Sequence, residues 1–433
     1  MDESDVSRRT LLKGGGAMIA GLSVLQVAGP TRAFAGSSPQ GDATASGDPG
    51  SIGPSGTVIP WLDPPPPVPP DAVNITGNLL QWEHLDSFFT PNDKFFWVKH
   101  YELPSLDAQQ WRLGIVGLVD HPTSMSLADL KQRPRRAVDF ALECSGNTSA
   151  PFFIGAVGNA RWAGARLAPL LKEAGIHKQA TEVVFWGADS GTVTIRDNVG
   201  ITSGGDSGTV VPDGSGGLDL TITEQFARSM SVEEALDGEN LLCYEMNDRP
   251  LPPEHGYPVR LIAPGWYGVA NVKWLTHIEV QDQRFGGRFM ARDYVSIREE
   301  QRPGGKTLWT FRTVNHERLK SAPAKVVRQA NNRYTIVGVA WGAPIEAVEV
   351  RIDDGPWRAA TLIGPKPRHH RRSFAWRFWS FEWGAPAAGT HRVTSRAFDV
   401  DGNMQPAPDD PILASKRTFW ESNGHITRRV MIP

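Results

Sequence analysis

Cysteine is scarce in this chain: two residues, Cys144 and Cys243, in 433. With so few there is no Cys-x-x-Cys-His haem attachment motif and no ferredoxin-type cysteine set, so neither haem nor an iron–sulfur cluster is expected. Long apolar runs are also missing. Beyond the N-terminal segment no stretch reaches the roughly 18 to 20 apolar residues of a membrane span, so no span is expected in the mature protein. Nor is there an excess of either charge, since 45 Lys and Arg face 47 Asp and Glu for a net charge of −2. That balance argues against nucleic acid or an anionic membrane as partner, either of which favours a basic stripe. The short basic cluster "KPRHHRR" (366–372) reads as a solvated loop. No solenoid or propeller repeat is visible.

What is abundant is Gly (44) and Pro (34), in a chain that is 40% hydrophobic and 21% charged. These are globular values with an excess of turn residues, which points to much β structure in two or three domains. At the N-terminus, "SRRTLLK" (7–13) places Arg8 and Arg9 before a weakly apolar run that ends in "AFA" (33–35). Residues 1–35 therefore read as a twin-arginine export signal with a small-residue cleavage site, and the periplasm or extracytoplasmic face is the expected location. Residues 36–72, rich in Gly, Ser, Asp and Pro and ending in "PPPPVPP", read as a disordered linker. From 73 to 300, short apolar runs such as "WRLGIVGLV" and "TEVVFWGAD" alternate with helical pieces such as "LAPLLKEAG", capped by Gly175. Mixed α/β structure with many short strands follows from that pattern. Within it, residues 197–220 read as a flexible Gly-rich loop able to form a lid, without the strand-turn-helix context of a phosphate loop. From 301 to 433, β-branched and aromatic runs such as "YTIVGVAW" and "HRVTSRAFDV" between turns indicate an all-β sandwich. Its tryptophans, Trp341, Trp357, Trp376, Trp379 and Trp383, are expected as core or interface aromatics.

Two stretches carry chemistry. In "LECSGNTS" (142–149), Cys144 falls where an apolar strand gives way to an open Gly- and Asn-containing loop. A thiolate there suits a soft transition-metal centre whose other positions are filled by a cofactor. A cysteine nucleophile served by His100, His255 or His316 is a second reading, and a structural cysteine or a disulfide with Cys243 a third. Cys243, within "LLCYEM", reads as a core strand residue. In "LLCYEMNDRPLPPEHGYPVRLIAPGWYGVANVKWLTHIEV" (241–280), His255, Arg260 and Lys273 stand among glycine and proline turns that can gather donors around an anion such as phosphate.

"ECSGN" and the 241–280 block together resemble the sulfite oxidase family of molybdopterin oxidoreductases, including the exported bacterial sulfite dehydrogenases and sulfane dehydrogenase subunits. The likeness runs from about residue 88 to the end of the chain. It implies an α+β fold, with a mixed α/β molybdopterin-binding domain followed by an immunoglobulin-like dimerisation domain, suggested by "GVAW" and "RAFDVDGNMQP". It implies one molybdenum–molybdopterin per chain, with Cys144 as the metal ligand and His255, Arg260 and Lys273 as pterin and phosphate contacts. "TPNDKFFWVKHYELP" brings His100 to the cofactor, "VVFWGAD" brings Asp189, and "ARDYVSI" makes Tyr294 an active-site tyrosine. Two departures bear on the substrate: arginines expected in the family fall on Val98 and Ser149. Lys99, Arg161 or a residue of "HITRRV" are the candidates to supply the missing charge.

The resemblance implies a two-electron oxo transfer that oxidises a sulfur oxyanion or a carrier-bound sulfane, with electrons passed to a separate c-type cytochrome by a homodimer. Reduction of an S-oxide or N-oxide on the same scaffold is the alternative. A cysteine hydrolase using Cys144, or a non-enzymatic surface binding module, stands further off.

Overall fold

The structure, a computed structural model, describes residues 52–70, 72–196, 219–366 and 373–433. The expected signal segment, the cluster at 367–372 and nearly all of the Gly-rich segment lie outside the described residues.

The N-terminal half is built from two five-stranded sheets. In the first, Arg135–Glu143 pairs with Val157–Arg166, which pairs with Leu241–Met246, flanked by Arg249–Pro250 and Arg260–Ile262. In the second the order is Thr123–Ser126, Arg112–Gly117, Leu275–Gln281, Glu182–Arg196, Asp219–Ser231, with one parallel pairing among antiparallel ones. Helices are few and short among the described residues. Leu167–Ala174 is one, its Leu167, Leu170 and Leu171 buried at helical spacing and its end fixed by Gly175 in the left-handed region (φ 73°). The expected α+β architecture holds, with β structure dominant.

The second half is a sandwich with an immunoglobulin-like layout. One sheet runs Thr57–Ile59, Lys320–Arg328, Tyr334–Trp341, Arg377–Gly384, Thr361–Ile363, and the other Arg358–Ala359, Ile345–Ile352, Gly389–Asp399, Ile426–Ile432. Alternating residues such as Ile336, Val348, Val350 and Val393 fill the space between them. Trp341, Trp376 and Trp379 are fully buried, whereas Trp357 lies under the guanidinium groups of Arg396 and Arg351, 4.2 and 4.8 Å from its ring.

Two boundaries differ from the sequence reading. Residues 57–61 belong to the fold and not to a disordered linker: Thr57–Ile59 adds an edge strand to the sandwich, and buried Trp61 donates its indole N–H to Ala324 O at 2.9 Å. Composition hid this, because a β-branched run and one tryptophan are outnumbered by prolines. A boundary at 300/301 divides the hairpin Val295–Gln301/Thr307–Thr313, and the sandwich proper resumes at Lys320.

The two halves meet under the end of Arg135–Glu143. Fully buried Glu143 accepts from the Lys320 ammonium at 2.5 Å and from the Asn147 amide at 2.8 Å, while its own N–H donates to Glu317 Oε1 at 2.8 Å. Removing one partner of a buried pair strands the other charge. Lys320→Ala is therefore expected to cost about 3–5 kcal/mol in urea unfolding, and a loss below about 1 kcal/mol would show that the pair does not tie the halves together. Burial, reinforced by the Glu143 carboxylate, holds the Glu317 carboxyl well above its ordinary range. A raised carboxyl binds more protons in the folded state, so its contribution is full below about pH 4.5 and is lost as pH rises through the folded value. Glu317→Gln is expected to lose less stability than the wild type between about pH 5 and pH 8, read from urea midpoints at both.

Candidate active site

Cys144 follows directly on Arg135–Glu143, as expected of a residue at the end of a strand. Its N–H donates to Ala156 O at 2.9 Å, and its carbonyl accepts from Asn147 N at 2.9 Å, which closes the loop. The Asn147 side chain pins that loop from both ends, donating to Glu143 and accepting from Ala156 N at 3.1 Å. The thiol is buried, and burial pushes it up to about 12. A thiol so raised is a poor nucleophile. Cys144 and Cys243 are both free, so no disulfide joins them; Cys243 sits in the strand Leu241–Met246, as expected.

On one side of Cys144 lies a cavity that gathers the predicted residues His100, Asp189, His255, Arg260, Lys273 and Tyr294, with Lys99 at its margin. The backbone explains the convergence. A register shift between Trp186 and Ser190 turns Asp189 out of its strand and into the cleft. Gly256 adopts φ 102°, and a Cβ there would meet the Cβ atoms of Arg260 and Lys273 at 3.0 and 3.1 Å, so only glycine lets His255 and the two cations crowd together. Arg260 is oriented by His255 O at 3.0 Å and Asn271 O at 2.9 Å, and Lys273 by Val98 O and Glu254 O, both at 2.9 Å.

The electrostatics of this cavity suit an anion. Arg260 and Lys273 are enclosed with carbonyls as hydrogen-bond acceptors, and burial, aided by the Arg260 charge, lowers Lys273 to about 7. Burial and then the same cations lower His255 to about 3. Asp189 is raised to about 6 by burial against the pull of Lys273, and its Oδ1 is buried without a hydrogen-bond partner among the described residues. A phosphate-bearing pterin fits this donor set. Its phosphate answers the cations and its N–H groups answer the orphaned carboxylate oxygen. Among the described residues no cluster of three or more His, Cys, Asp or Glu is gathered as a metal site, so a metal here would have Cys144 as its protein ligand and a cofactor for the rest.

His100 Nε2 and the Tyr294 hydroxyl share a hydrogen bond of 2.7 Å, packed among Phe226 and Phe289. Burial, then Lys273, Arg288 and Arg228, lower His100 to about 3, and burial holds the Tyr294 phenol well above its ordinary value. Sequence reading passed over Arg228, which is buried and grips Phe289 O and Val314 O beside this pair; no motif flags it.

On the other side of Cys144 lies a second, narrow slot that the sequence reading did not foresee. Phe152, Phe153, Phe419 and Trp420 form its far walls, and Val98, Cys144 and Tyr294 belong to both cavities. Trp420 stacks on Tyr294 with ring centroids 4.2 Å apart. Of the candidates for compensating charge, Lys99 pairs with Glu102 at 3.2 Å on the first cavity's side. Arg161 is drawn off to Asp139 at 3.0 Å and lines neither cavity, and Arg428 of "HITRRV" reaches Asp63 in the sandwich.

With a folded value near 3 against about 6.5 for a free imidazole, His100 is neutral wherever the protein is native at ordinary pH. An imidazole buried neutral favours unfolding progressively as pH falls from about 6.5 toward 3, because the unfolded chain takes up the proton first. NMR titration of His100 is expected to show no protonation down to about pH 4; a midpoint near 6.5 would mean that the ring is solvated.

Comparison with known proteins fits this geometry. The family model described as the oxidoreductase molybdopterin binding domain matches residues 100–204 and 196–289, and that of the Mo-co oxidoreductase dimerisation domain matches 313–418. Mitochondrial sulfite oxidase of Homo sapiens is 32% identical over 357 residues, covering 76% of this chain and 59% of the relative. An NADH nitrate reductase of Ulva prolifera is 27% identical over 376 residues, covering 78% of this chain and 41% of the relative. The chain thus spans about three fifths or less of these curated relatives, whose names carry different substrates. The crystal structure of the sulfane dehydrogenase SoxCD from Paracoccus pantotrophus shares the fold, with a TM-score of 0.65 at 23% identity over 92% of this chain and 96% of that one. With a molybdopterin-binding domain and its dimerisation domain matched in order along a single chain, the protein belongs to the sulfite oxidase family of molybdopterin-dependent oxidoreductases.

Proposed function

We propose that this protein is an exported molybdenum-cofactor enzyme that carries out two-electron oxo transfer at sulfur and exchanges electrons with a separate c-type cytochrome. The observation that carries the reading is the position of Cys144, a soft ligand in the wall shared by a cationic cavity and an apolar slot. When bound, a molybdenum pterin supplies two-electron oxygen-atom exchange at the metal. Cys144 would hold the metal, Asp189 the pterin edge, and His255, Arg260 and Lys273 its phosphate. Tyr294, kept protonated by burial, donates a hydrogen bond toward a substrate oxygen, and neutral His100 orients that hydroxyl. The aromatic wall keeps bulk water from the reacting sulfur.

Export to the periplasm rests on the Arg8–Arg9 segment, and assembly as a homodimer on the match to the dimerisation domain. The carrier-bound sulfane reading is favoured by the shared fold with a sulfane dehydrogenase. Reduction of an S-oxide or N-oxide on the same scaffold is a second reading, favoured by the lack of any charged side chain around the slot among the described residues. A cysteine hydrolase gains no support, since the Cys144 thiol is raised to about 12 and the nearby His100 is engaged by Tyr294.

Purified protein is expected to contain about one molybdenum and one pterin per chain, and Cys144→Ser to lose the metal and turnover together. Absence of both from protein made in a host that synthesises the cofactor would refute the assignment. Tyr294→Phe is expected to retain molybdenum while kcat falls about 10²-fold or more. A variant with unchanged kcat would remove Tyr294 from the reaction.

A further inference from the structure

We propose that the strand Asp219–Ser231 is a positioning template for the reaction, its Glu224 and Arg228 holding the two chain segments that carry His100 and Tyr294; this rests on the oxo-transfer reading for what Tyr294 does. Glu224, Phe226 and Arg228 are alternate residues of that strand and share one face, while Thr223 and Gln225 on the other face are exposed. All three are directed at the same pair. Phe226 stacks on the His100 ring, with centroids 4.7 Å apart and planes 20° from parallel. Glu224 Oε1 accepts from the Tyr101 hydroxyl at 2.6 Å and from Arg288 at 2.9 Å, and Arg288 Nε donates to Asp293 Oδ2 at 2.6 Å. Tyr101 and Asp293 are the chain neighbours of His100 and Tyr294, so one carboxylate and one guanidinium draw the two segments together.

Arg228 acts on the same segments from inside. Its guanidinium donates to Phe289 O, in the short helix before Tyr294, and to Val314 O, and the Val314 N–H in turn donates to Tyr294 O at 2.9 Å. It thereby spans the backbone on both sides of the tyrosine, with a further contact to Asn315 Oδ1 at 3.3 Å. The Phe289 ring fills the space between, 4.6 Å from Phe226 and 4.8 Å from His100. The charge of Arg228 marks it as more than a brace. It is 1% exposed, its acceptors among the described residues are carbonyl oxygens with no carboxylate, and its Nε has no partner there. Neutral donors satisfy two carbonyls at far less cost than an enclosed cation does. A positive charge behind the pair disfavours imidazolium and favours negative charge on the phenol oxygen. It keeps the ring neutral and steadies the hydroxyl as its proton is given toward substrate. Burial and two nearer cations act first on His100, and the Arg228 charge adds to them; on Tyr294 it opposes the effect of burial.

The test is NMR of the complete chain labelled with nitrogen-15 at histidine, the His100 signals being assigned by their loss in His100→Gln. The Nε2 resonance reports the hydrogen bond to Tyr294, and Tyr294→Phe marks its position when that bond is gone. Arg228→Met and Arg228→Lys are each expected to move it at least about half of the way to that mark, the second because an ammonium keeps the charge without the fork that spans two carbonyls. Glu224→Ala, a milder change at a half-buried site, is expected to move it at least about a quarter of the way and decides the matter should the Arg228 variants not fold. Variants that melt lower yet leave Nε2 at its wild-type position would show a merely structural role and overturn the proposal. In molybdenum-loaded protein assayed with sulfite and ferricyanide, Arg228→Lys is expected to lose about tenfold or more in kcat with KM changed less than about threefold. A loss confined to KM overturns the proposal as well. A wild-type chain without molybdenum, or without sulfite turnover when loaded, counts against the oxo-transfer reading or its substrate, while the His100 signal still decides whether the strand sets the pair.

Discussion

The carboxylate of Glu143, held by the Lys320 ammonium and the Asn147 amide, is the contact on which the rest of the site depends. Glu143 ends a core strand, and the next residue is the cysteine. Any displacement of that strand end moves the sulfur. Lys320 opens the first long strand of the sandwich, so the position of the thiol in the catalytic half is referred to the β framework of the other half. Such a pair adds little net stability compared with well-packed apolar residues, but it demands one specific arrangement, because any other leaves a charge buried alone. The loop is thereby fixed by unfavourable alternatives as much as by favourable contacts.

Around that fixed sulfur the molecule separates two environments. The cationic side is assembled by irregularities: a bulge that redirects Asp189, a left-handed glycine that lets Arg260 and Lys273 approach, and carbonyls that orient both cations. These cations are buried close to one another, and the lowered values of Lys273 and His255 record the cost, burial first and the neighbouring positive charge second. An anionic cofactor relieves that cost. The aromatic side has no such tension, since its groups are satisfied by stacking and by backbone hydrogen bonds.

Much of this was legible in the sequence because it rests on local patterns. Apolar runs with turn residues between them marked the sandwich strands, and Gly175 marked the end of its helix. Cys144 at a strand end and His255, Arg260 and Lys273 among turns pointed to the cofactor cavity, and these residues do converge. What escaped notice depends on contacts between residues far apart in the chain. Thr57–Ile59 gains its partners only from residues 326–328, so its proline-rich surroundings dominated the reading. Phe152 and Phe153 read as ordinary apolar residues until Phe419 and Trp420, some 270 positions later, are brought against the same loop. Arg161 was an attractive candidate by proximity to the motifs, but Asp139 on the neighbouring strand takes it.

The slot is a composite, with Ile75 from the N-terminal segment, the 152–153 pair from the catalytic half, and 419–420 from the far end of the chain. The groups suited to the cofactor fall between residues 100 and 273, apart from the walls. One wall of the slot thus comes from a part of the chain that supplies none of the cationic groups, while Phe152 and Phe153 sit on the same loop as Cys144. A change confined to the side chains at 419 and 420 would reshape that wall and leave His255, Arg260 and Lys273, on the far side of the sulfur, where they are.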